Sequence, residues 1–219
     1  MFGGVDERLH VGSVSYVPVH SKFYWEIAMH AVVVGDRDMH LCGGAAEQCR
    51  VAIDTGTSLI TGPSASVRKL HAALGVDPGC RNLDRLPTLT FVLGNGTKLV
   101  LAANEYVVRV HNARTNKDSC VLGIMPLDVP PPRGPLFAFG ALVLRSYLTV
   151  FDRSIPQVGF ARSLPCDPPC TGPVTIESHG QSVRRPMRRR TVVPVGGGGI
   201  RGLTNRQRSL VASLQRDAG

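Results

Sequence analysis

The sequence predicts a mainly β fold with a few short helices, followed by a disordered basic tail. Up to about residue 160, short runs of alternating apolar and polar residues recur, and many of the apolar residues are β-branched. The chain also contains 24 Gly and 16 Pro, which favour many turns over long helices. Beyond residue 162 the apolar runs give way to Gly-, Pro- and Arg-rich segments that cannot form a core. We therefore expect a folded lobe over residues 1–162 and a tail over residues 163–219.

The first half of the lobe is predicted to contain two strands, a central motif and one helix. Residues 12–19 alternate in the manner of a strand, and residues 24–35 are rich in β-branched and aromatic side chains. Pro63 then opens a run with apolar residues at helical spacing, and Gly75 is a typical helix stop. The clearest helix of the chain is thus predicted over residues 63–74.

The second half of the lobe is predicted to begin with a β-hairpin whose strands, 86–93 and 98–101, flank Asn95-Gly96. Asn95-Gly96-Thr97 also matches the N-glycosylation sequon, although the turn alone explains the Asn-Gly pair. Residues 104–110 fit either a strand or a short helix that leads into a strand. Further β or strongly apolar segments follow at residues 120–124, 137–140, 142–144, 147–151 and 157–161.

The positive charge of the chain is concentrated in the tail. The net charge is +9, and residues 163–219 contain nine Lys/Arg against three Asp/Glu. Such a segment can bind nucleic acid, an acidic membrane surface or an acidic partner, but it contains no aromatic residue to stack on bases. We interpret it as a solvated extension and expect no nucleic-acid binding. No run of 18 apolar residues occurs, so no transmembrane helix is predicted.

One stretch, residues 51–63, has the pattern expected of an active-site loop. An apolar run ends at Asp54, a Thr-Gly turn follows, and a second apolar run ends at Gly62-Pro63. Gly56 allows the backbone to approach the carboxylate closely, and Thr55 and Thr57 offer hydroxyl groups that can orient it. The pattern predicts a buried strand that delivers one carboxylate onto a tight loop.

The lobe resembles the C-terminal lobe of pepsin-like aspartic proteases at several places, in family order. The matching segments are FGGVD at residues 2–6, YWEI at residues 24–27, DTGTS at residues 54–58, RSYLTVFDR at residues 145–153 and QVGFA at residues 157–161. The resemblance covers about three quarters of the chain. It implies half of a bilobal acid protease fold and an aspartic-type endopeptidase that acts on polypeptides without a metal or other cofactor.

The resemblance also implies roles for individual residues. Asp54 would be one of two catalytic carboxylates that activate a water molecule. Thr55 would make a hydroxyl-to-backbone contact between the two lobes, Gly56 would donate its N–H to the carboxylate, and Thr57 would support Asp54 or reach the substrate. Candidate substrate-binding residues on this lobe are Thr57, Ser58 and Ile124.

Six cysteines fall into three local pairs along the sequence: Cys42 with Cys49, Cys80 with Cys120, and Cys166 with Cys170. None has the paired spacing of a structural zinc site. The first two pairs occupy the positions of the two disulfides in the family's C-terminal lobe. Cys166 and Cys170 lie outside the family pattern, and three states stay open for them: a bond to each other, bonds to a segment outside this chain, or free thiols. Disulfides imply an oxidising compartment, and the resemblance implies a secretory, acidic vacuolar-type or extracellular location, yet Met1 to Gly4 does not begin a signal peptide.

Two departures from the family pattern affect the functional prediction. Ala141 stands where the family usually has Asp, which puts the geometry of the neighbouring loop in question. The family's N-terminal lobe, with its own Asp-Thr-Gly and its flap, has no counterpart in this sequence, so we expect the chain to be a fragment that is inactive by itself. Three hypotheses stay open: one lobe of a two-lobed endopeptidase, a homodimer with two copies of Asp54, and a non-catalytic peptide-binding lobe.

Overall fold

The computed structural model describes residues 3–21, 24–42, 49–113, 115–164 and 175–177. These residues form a mainly β structure with short helices, which confirms the predicted fold class. The strands are β1 (His10–Ser21), β2 (Glu26–Val34), β3 (Arg37–Asp38), β4 (Cys49–Ile53), β5 (Ile60–Gly62), β6 (Leu89–Leu93), β7 (Lys98–Leu101), β8 (Val107–Asn112), β9 (Lys117–Leu122), β10 (Ile124–Pro126), β11 (Phe137–Phe139), β12 (Tyr147–Asp152), β13 (Gln157–Ser163) and β14 (Thr175–Glu177).

Most of the described strands belong to one large sheet. Its main path runs β10-β5-β11-β4-β2-β1-β13-β12, with β3, β6 and β7 joined through β2 and β6. Strand β11 lies between β4 and β5, which are consecutive in sequence, and pairs in parallel with the first and antiparallel with the second. This insertion places the segment from residue 137 to residue 139 directly under the loop that connects β4 to β5.

The predicted helix is confirmed as α1 (Ser64–Leu74). Its buried side chains are Val67, Leu70 and Leu74, and Gly75 ends it in the left-handed conformation with φ of 55°. Two further helices have four residues each, α2 (Ala103–Tyr106) and α3 (Ala141–Leu144), and short 3₁₀ turns span Glu7–Leu9 and Leu83–Arg85. Residues 104–110 thus follow the second of the two predicted alternatives, a short helix that leads into a strand, β8.

The predicted hairpin is also present, with strands β6 and β7 paired from Leu89↔Leu101 to Val92↔Lys98. The first strand begins three residues later than predicted. The apolar segment at residues 142–144, for which the sequence predicted no particular element, forms most of helix α3. At the start of this helix, the N–H groups of Ala141 and Leu142 bond to the carbonyl groups of residues 57 and 58.

The core is built from the inward faces of the sheet and from α1. Fully buried side chains include Ile27, Met29, Phe91, Tyr106 and Phe139, all at 0% exposure. The rings of Phe91 and Phe139 pack with their centroids 4.6 Å apart. Burial of this apolar surface is the main stabilising contribution to such a lobe.

The structure contains both expected disulfides, Cys42–Cys49 and Cys80–Cys120. The first closes the segment between β3 and β4, so it lies at the start of the strand that leads to Asp54. The second joins Cys80, in the segment after α1, to Cys120 in β9, and Cys120 is buried in the core. Cys166 and Cys170 lie outside the described residues.

The predicted disordered tail lies outside the described residues, with the exception of residues 163–164 and 175–177. Residues Thr175–Glu177 form β14, which pairs in parallel with β8 in a three-stranded sheet, β14-β8-β9. The sequence predicted no strand here. This edge strand has only three residues and pairs with β8, which lies far away in the sequence. The local sequence pattern around residues 175–177 therefore does not reveal the strand. No helix among the described residues is long and apolar enough to span a membrane.

Candidate active site

Strand β4 delivers Asp54 to the surface from a buried position. Val51 is fully buried and Ile53 is 5% exposed, whereas Asp54 is exposed. The strand pairs with β2 on one side and β11 on the other. The backbone N–H of Asp54 continues this pairing, since it donates to the carbonyl of Phe139 at 3.0 Å. A strand paired on both edges gives the carboxylate a rigid base.

Both oxygens of the Asp54 carboxylate accept hydrogen bonds from the following loop. The backbone N–H of Gly56 donates to Oδ1 at 2.8 Å, and the hydroxyl of Thr57 donates to Oδ2 at 2.6 Å. The backbone N–H of Thr57 lies 3.3 Å from the Asp54 carbonyl and closes the turn. The carboxylate is therefore fixed in one orientation while it stays accessible to solvent.

The segment that begins α3 braces this loop from below. The N–H of Ala141 donates to the Thr57 carbonyl at 2.8 Å, and that of Leu142 donates to the Ser58 carbonyl at 3.0 Å. Gly140 is required for this approach, because a Cβ atom there would overlap the carbonyl oxygens of Thr57 and Leu59. Ala141 itself is exposed and contributes its backbone N–H, so the loop is held without a polar side chain at this position.

The predicted site residues fall into two groups in the structure. Asp54, Thr55, Gly56 and Ser58 are exposed and Thr57 is half-buried, so the predicted catalytic loop forms one continuous surface feature. Ile124 lies in β10 at 1% exposure, paired with Ile60. Its side chain belongs to the core in this structure, and a contact between Ile124 and substrate stays a prediction.

A second carboxylate, Asp128, stabilises the helix that follows the loop. Its Oδ1 accepts the backbone N–H of Ser64 at 2.8 Å, and its Oδ2 accepts the Ser64 hydroxyl at 2.5 Å. These hydrogen bonds from Ser64, first the hydroxyl and then the N–H, hold the pKa of Asp128 below its ordinary value. Asp128 thus supplies the N-terminal cap that Pro63 cannot provide. The sequence predicted no capping role for Asp128, because Ser64 and Asp128 are 64 positions apart.

Among the described residues, no side chain around Asp54 belongs to a cluster that could hold a metal ion. Within the described ranges, no group of three His, Cys, Asp or Glu side chains is placed to hold a metal ion. Two cavities of about 220 and 290 Å³ are lined by other residues and do not include Asp54. The chemistry available at the loop is that of a single positioned, solvent-accessible carboxylate.

Comparison with known proteins agrees with this geometry. Residues 1–163 match the family model described as eukaryotic aspartyl protease. The chain is 39% identical to cathepsin D of Clupea harengus, over 74% of this chain and 41% of that protein, and 36% identical to cathepsin E of Mus musculus, over 75% and 41%. It is 37% identical to plasmepsin VI of Plasmodium berghei, over 68% of this chain and 34% of that protein.

The chain spans about two fifths or less of the length of these curated relatives. The family match covers the whole predicted lobe, and it includes the loop at residues 54–58 and the strands that carry it. The resemblance predicted from the sequence motifs is thereby confirmed. The chain belongs to the eukaryotic aspartyl protease family and has the pepsin-like fold of one lobe.

Proposed function

We propose that this chain is one catalytic lobe of an aspartic endopeptidase and that Asp54 is one of its two catalytic carboxylates. The observation that carries the proposal is the state of Asp54: both oxygens are held by neighbouring donors, yet the group is exposed at the end of a rigid strand. A catalytic group needs this combination of fixed orientation and access to the substrate. Membership of the aspartyl protease family supports the same assignment.

In this proposal the Asp54 carboxylate and a second carboxylate share one proton and one water molecule. The ionised member takes a proton from the water, which attacks the scissile carbonyl, while the protonated member donates a hydrogen bond to the carbonyl oxygen. Two carboxylates so close together titrate as a coupled pair, which keeps one protonated and one ionised in acid. The Gly56 N–H and Thr57 hydroxyl keep Asp54 in position through this exchange.

The second carboxylate is proposed to come from a lobe outside this chain. The relatives are more than twice as long as the matched region, which leaves room for a second lobe of similar size. Thr55 is exposed in the loop, which supports the proposal that it contacts such a lobe. The isolated chain is then expected to be inactive, and a polypeptide substrate would bind between the two lobes.

The two disulfides support a location in an oxidising compartment, where such bonds persist. Because a coupled carboxylate pair works best in acid, we propose an acidic secretory, vacuolar-type or extracellular setting.

Measurement of peptide hydrolysis at acidic pH, with and without an added N-terminal lobe, separates the three hypotheses left open by the sequence. Activity that requires the added lobe and disappears in Asp54→Asn would support the two-lobed enzyme. Activity of the chain alone that rises with the fraction of dimer would contradict it and favour the homodimer. A stable two-lobe complex without activity would contradict both and favour a non-catalytic peptide-binding lobe.

A further inference from the structure

We propose that Asn95 is an acceptor site for an N-linked oligosaccharide. Asn95-Gly96-Thr97 is the one Asn-X-Ser/Thr sequon in the sequence, and it lies in the turn between β6 and β7. The proposal is independent of the function of Asp54, since the hairpin is not part of the loop or the strands that hold that residue.

The tip of this hairpin is open to solvent. Asn95 and Gly96 are both exposed. Gly96 has φ of 84°, and a Cβ atom built at this position would meet no other atom within 4 Å. The turn is closed by the N–H of Gly96, which donates to the Leu93 carbonyl at 2.8 Å, and by the N–H of Leu93, which donates to the Thr97 carbonyl at 2.8 Å. Because Asn95 is itself exposed in this open turn, solvent space is available for a bulky group on its side chain.

The hydrogen bonds of the Asn95 amide are compatible with glycosylation. Its Oδ1 accepts the backbone N–H of Thr97 at 2.9 Å, and its Nδ2 donates to the carbonyl of Tyr16 at 2.9 Å. An Asn side-chain amide carries two protons on Nδ2. One proton serves the bond to Tyr16, and the other is the position at which a sugar can be attached.

The donor in the proposed modification is a lipid-pyrophosphate-linked oligosaccharide. A bond forms between Nδ2 and C1 of the first sugar, while the bond between C1 and the pyrophosphate oxygen breaks. The amide loses one proton to a base, and the lipid pyrophosphate is the leaving group. The two disulfides are bonds of the kind that persist in an oxidising compartment, where this donor is also used.

Thr97 offers a clean way to test the proposal. Its bond to Asn95 is made by the backbone N–H, so Thr97→Ala removes the hydroxyl that the sequon requires and leaves that bond intact. Thr97→Ser keeps a hydroxyl and is the matched control. Asn95→Gln removes the acceptor and also breaks the contacts with Tyr16 and Thr97, so it is the less selective variant.

The experiment is expression of the full chain behind a cleavable secretion leader in a eukaryotic cell, with glycosylation measured in whole-cell lysate. We expect one endoglycosidase-sensitive glycan per chain in the parent and in Thr97→Ser, and none in Thr97→Ala or Asn95→Gln. Peptide mass spectrometry after enzymatic deglycosylation should show conversion of Asn95 to Asp. A parent chain that enters the secretory pathway, as shown by removal of the leader, and carries no glycan at Asn95 would overturn the proposal. A glycan that persists in Thr97→Ala would also overturn it.

Discussion

Asp54 and Asp128 have nearly the same hydrogen bonds but serve two different regions of the lobe. Each is an exposed carboxylate that accepts one backbone N–H at 2.8 Å and one hydroxyl at 2.5 to 2.6 Å. The donors to Asp54 come from Gly56 and Thr57, and those to Asp128 come from Ser64. The number and length of the bonds therefore do not separate a proposed catalytic carboxylate from a structural one.

The two carboxylates differ in the structural element to which their hydrogen-bond donors belong. Ser64 is the first residue of α1, where backbone N–H groups lack partners within the helix and the helix dipole favours a negative charge. The Asp128 carboxylate therefore caps and stabilises the N-terminus of α1. The donors to Asp54 lie two and three residues further along its own loop, so they orient the carboxylate without making another element depend on its charge.

The largest expected effect on stability comes from Gly140→Ala. The new Cβ would overlap the Thr57 and Leu59 carbonyl oxygens and push the Asp54 loop away from α3. We expect the free energy of unfolding to fall by roughly 1–3 kcal/mol, as for other overpacked sites, and any activity of the assembled enzyme to fall with it. Urea unfolding measures the change. Gly4→Ala is the matched control, because a Cβ there meets no atom within 4 Å, and an equal loss in both variants would contradict the account.

Removal of one hydroxyl donor from each carboxylate should have different effects: lower kcat at the Asp54 loop and lower stability at the start of α1. Thr57→Val removes a donor to Asp54, and we expect kcat of the assembled enzyme to fall roughly tenfold with little change in stability. Ser64→Ala removes a donor to Asp128, and we expect lower stability with kcat unchanged. Peptide-hydrolysis kinetics and thermal unfolding measure the two effects. The same pattern in both variants would show that the two carboxylates do not differ in role.

The pH dependence of stability should identify the structural carboxylates. The pKa of Asp128 is lowered in the folded chain, so its ionised form adds stability above the unfolded pKa, and this stability is lost as pH falls through the folded value. Hydrogen bonds from Ser154 and Gln157 lower the pKa of Asp152 to about 2, so its ionised form should add stability over the same pH range. We expect Asp128→Asn and Asp152→Asn to lose stability near neutral pH and to show a flatter stability profile below about pH 4. Profiles parallel to that of the parent chain would contradict this.

The smallest expected effect concerns β14. Ile176→Pro removes a backbone N–H from the strand, and proline disfavours ladder pairing. We expect faster hydrogen exchange at those amides of Arg109–His111 that are not bonded to β9, with no change at the Asp54 loop. Hydrogen-exchange mass spectrometry of the full chain tests this. Unchanged exchange in β8 would show that β14 does not protect that edge.

Local signals were sufficient to predict much of the fold. Helix α1 follows from Pro63, a helical apolar spacing and Gly75, and the β6–β7 hairpin follows from Asn95-Gly96. The loop at Asp54 was also predictable, since its strand, turn and donors are contiguous. In each case the residues that determine the structure are close together in sequence.

The features that the sequence did not reveal depend on remote partners. Asp128 caps a helix that begins 64 residues earlier, and no local pattern encodes that contact. The segment 142–144 is apolar in the manner of a buried strand, but its N-terminal N–H groups are bound by the carbonyls of Thr57 and Ser58, which favours a helical turn. Tertiary contacts override a short apolar pattern in such cases.

The most direct test of the central claim is the activity of the assembled two-lobe enzyme with Asp54→Asn, compared with Asp36→Asn, which alters another exposed carboxylate in the turn after β2. We predict that Asp54→Asn lowers kcat by roughly 10²–10⁴-fold, the range for loss of one general acid–base group. Its stability and its binding to the second lobe should stay near those of the parent, and Asp36→Asn should retain full activity. A folded, assembled Asp54→Asn enzyme with the kcat of the parent would contradict the assignment of Asp54 as a catalytic carboxylate.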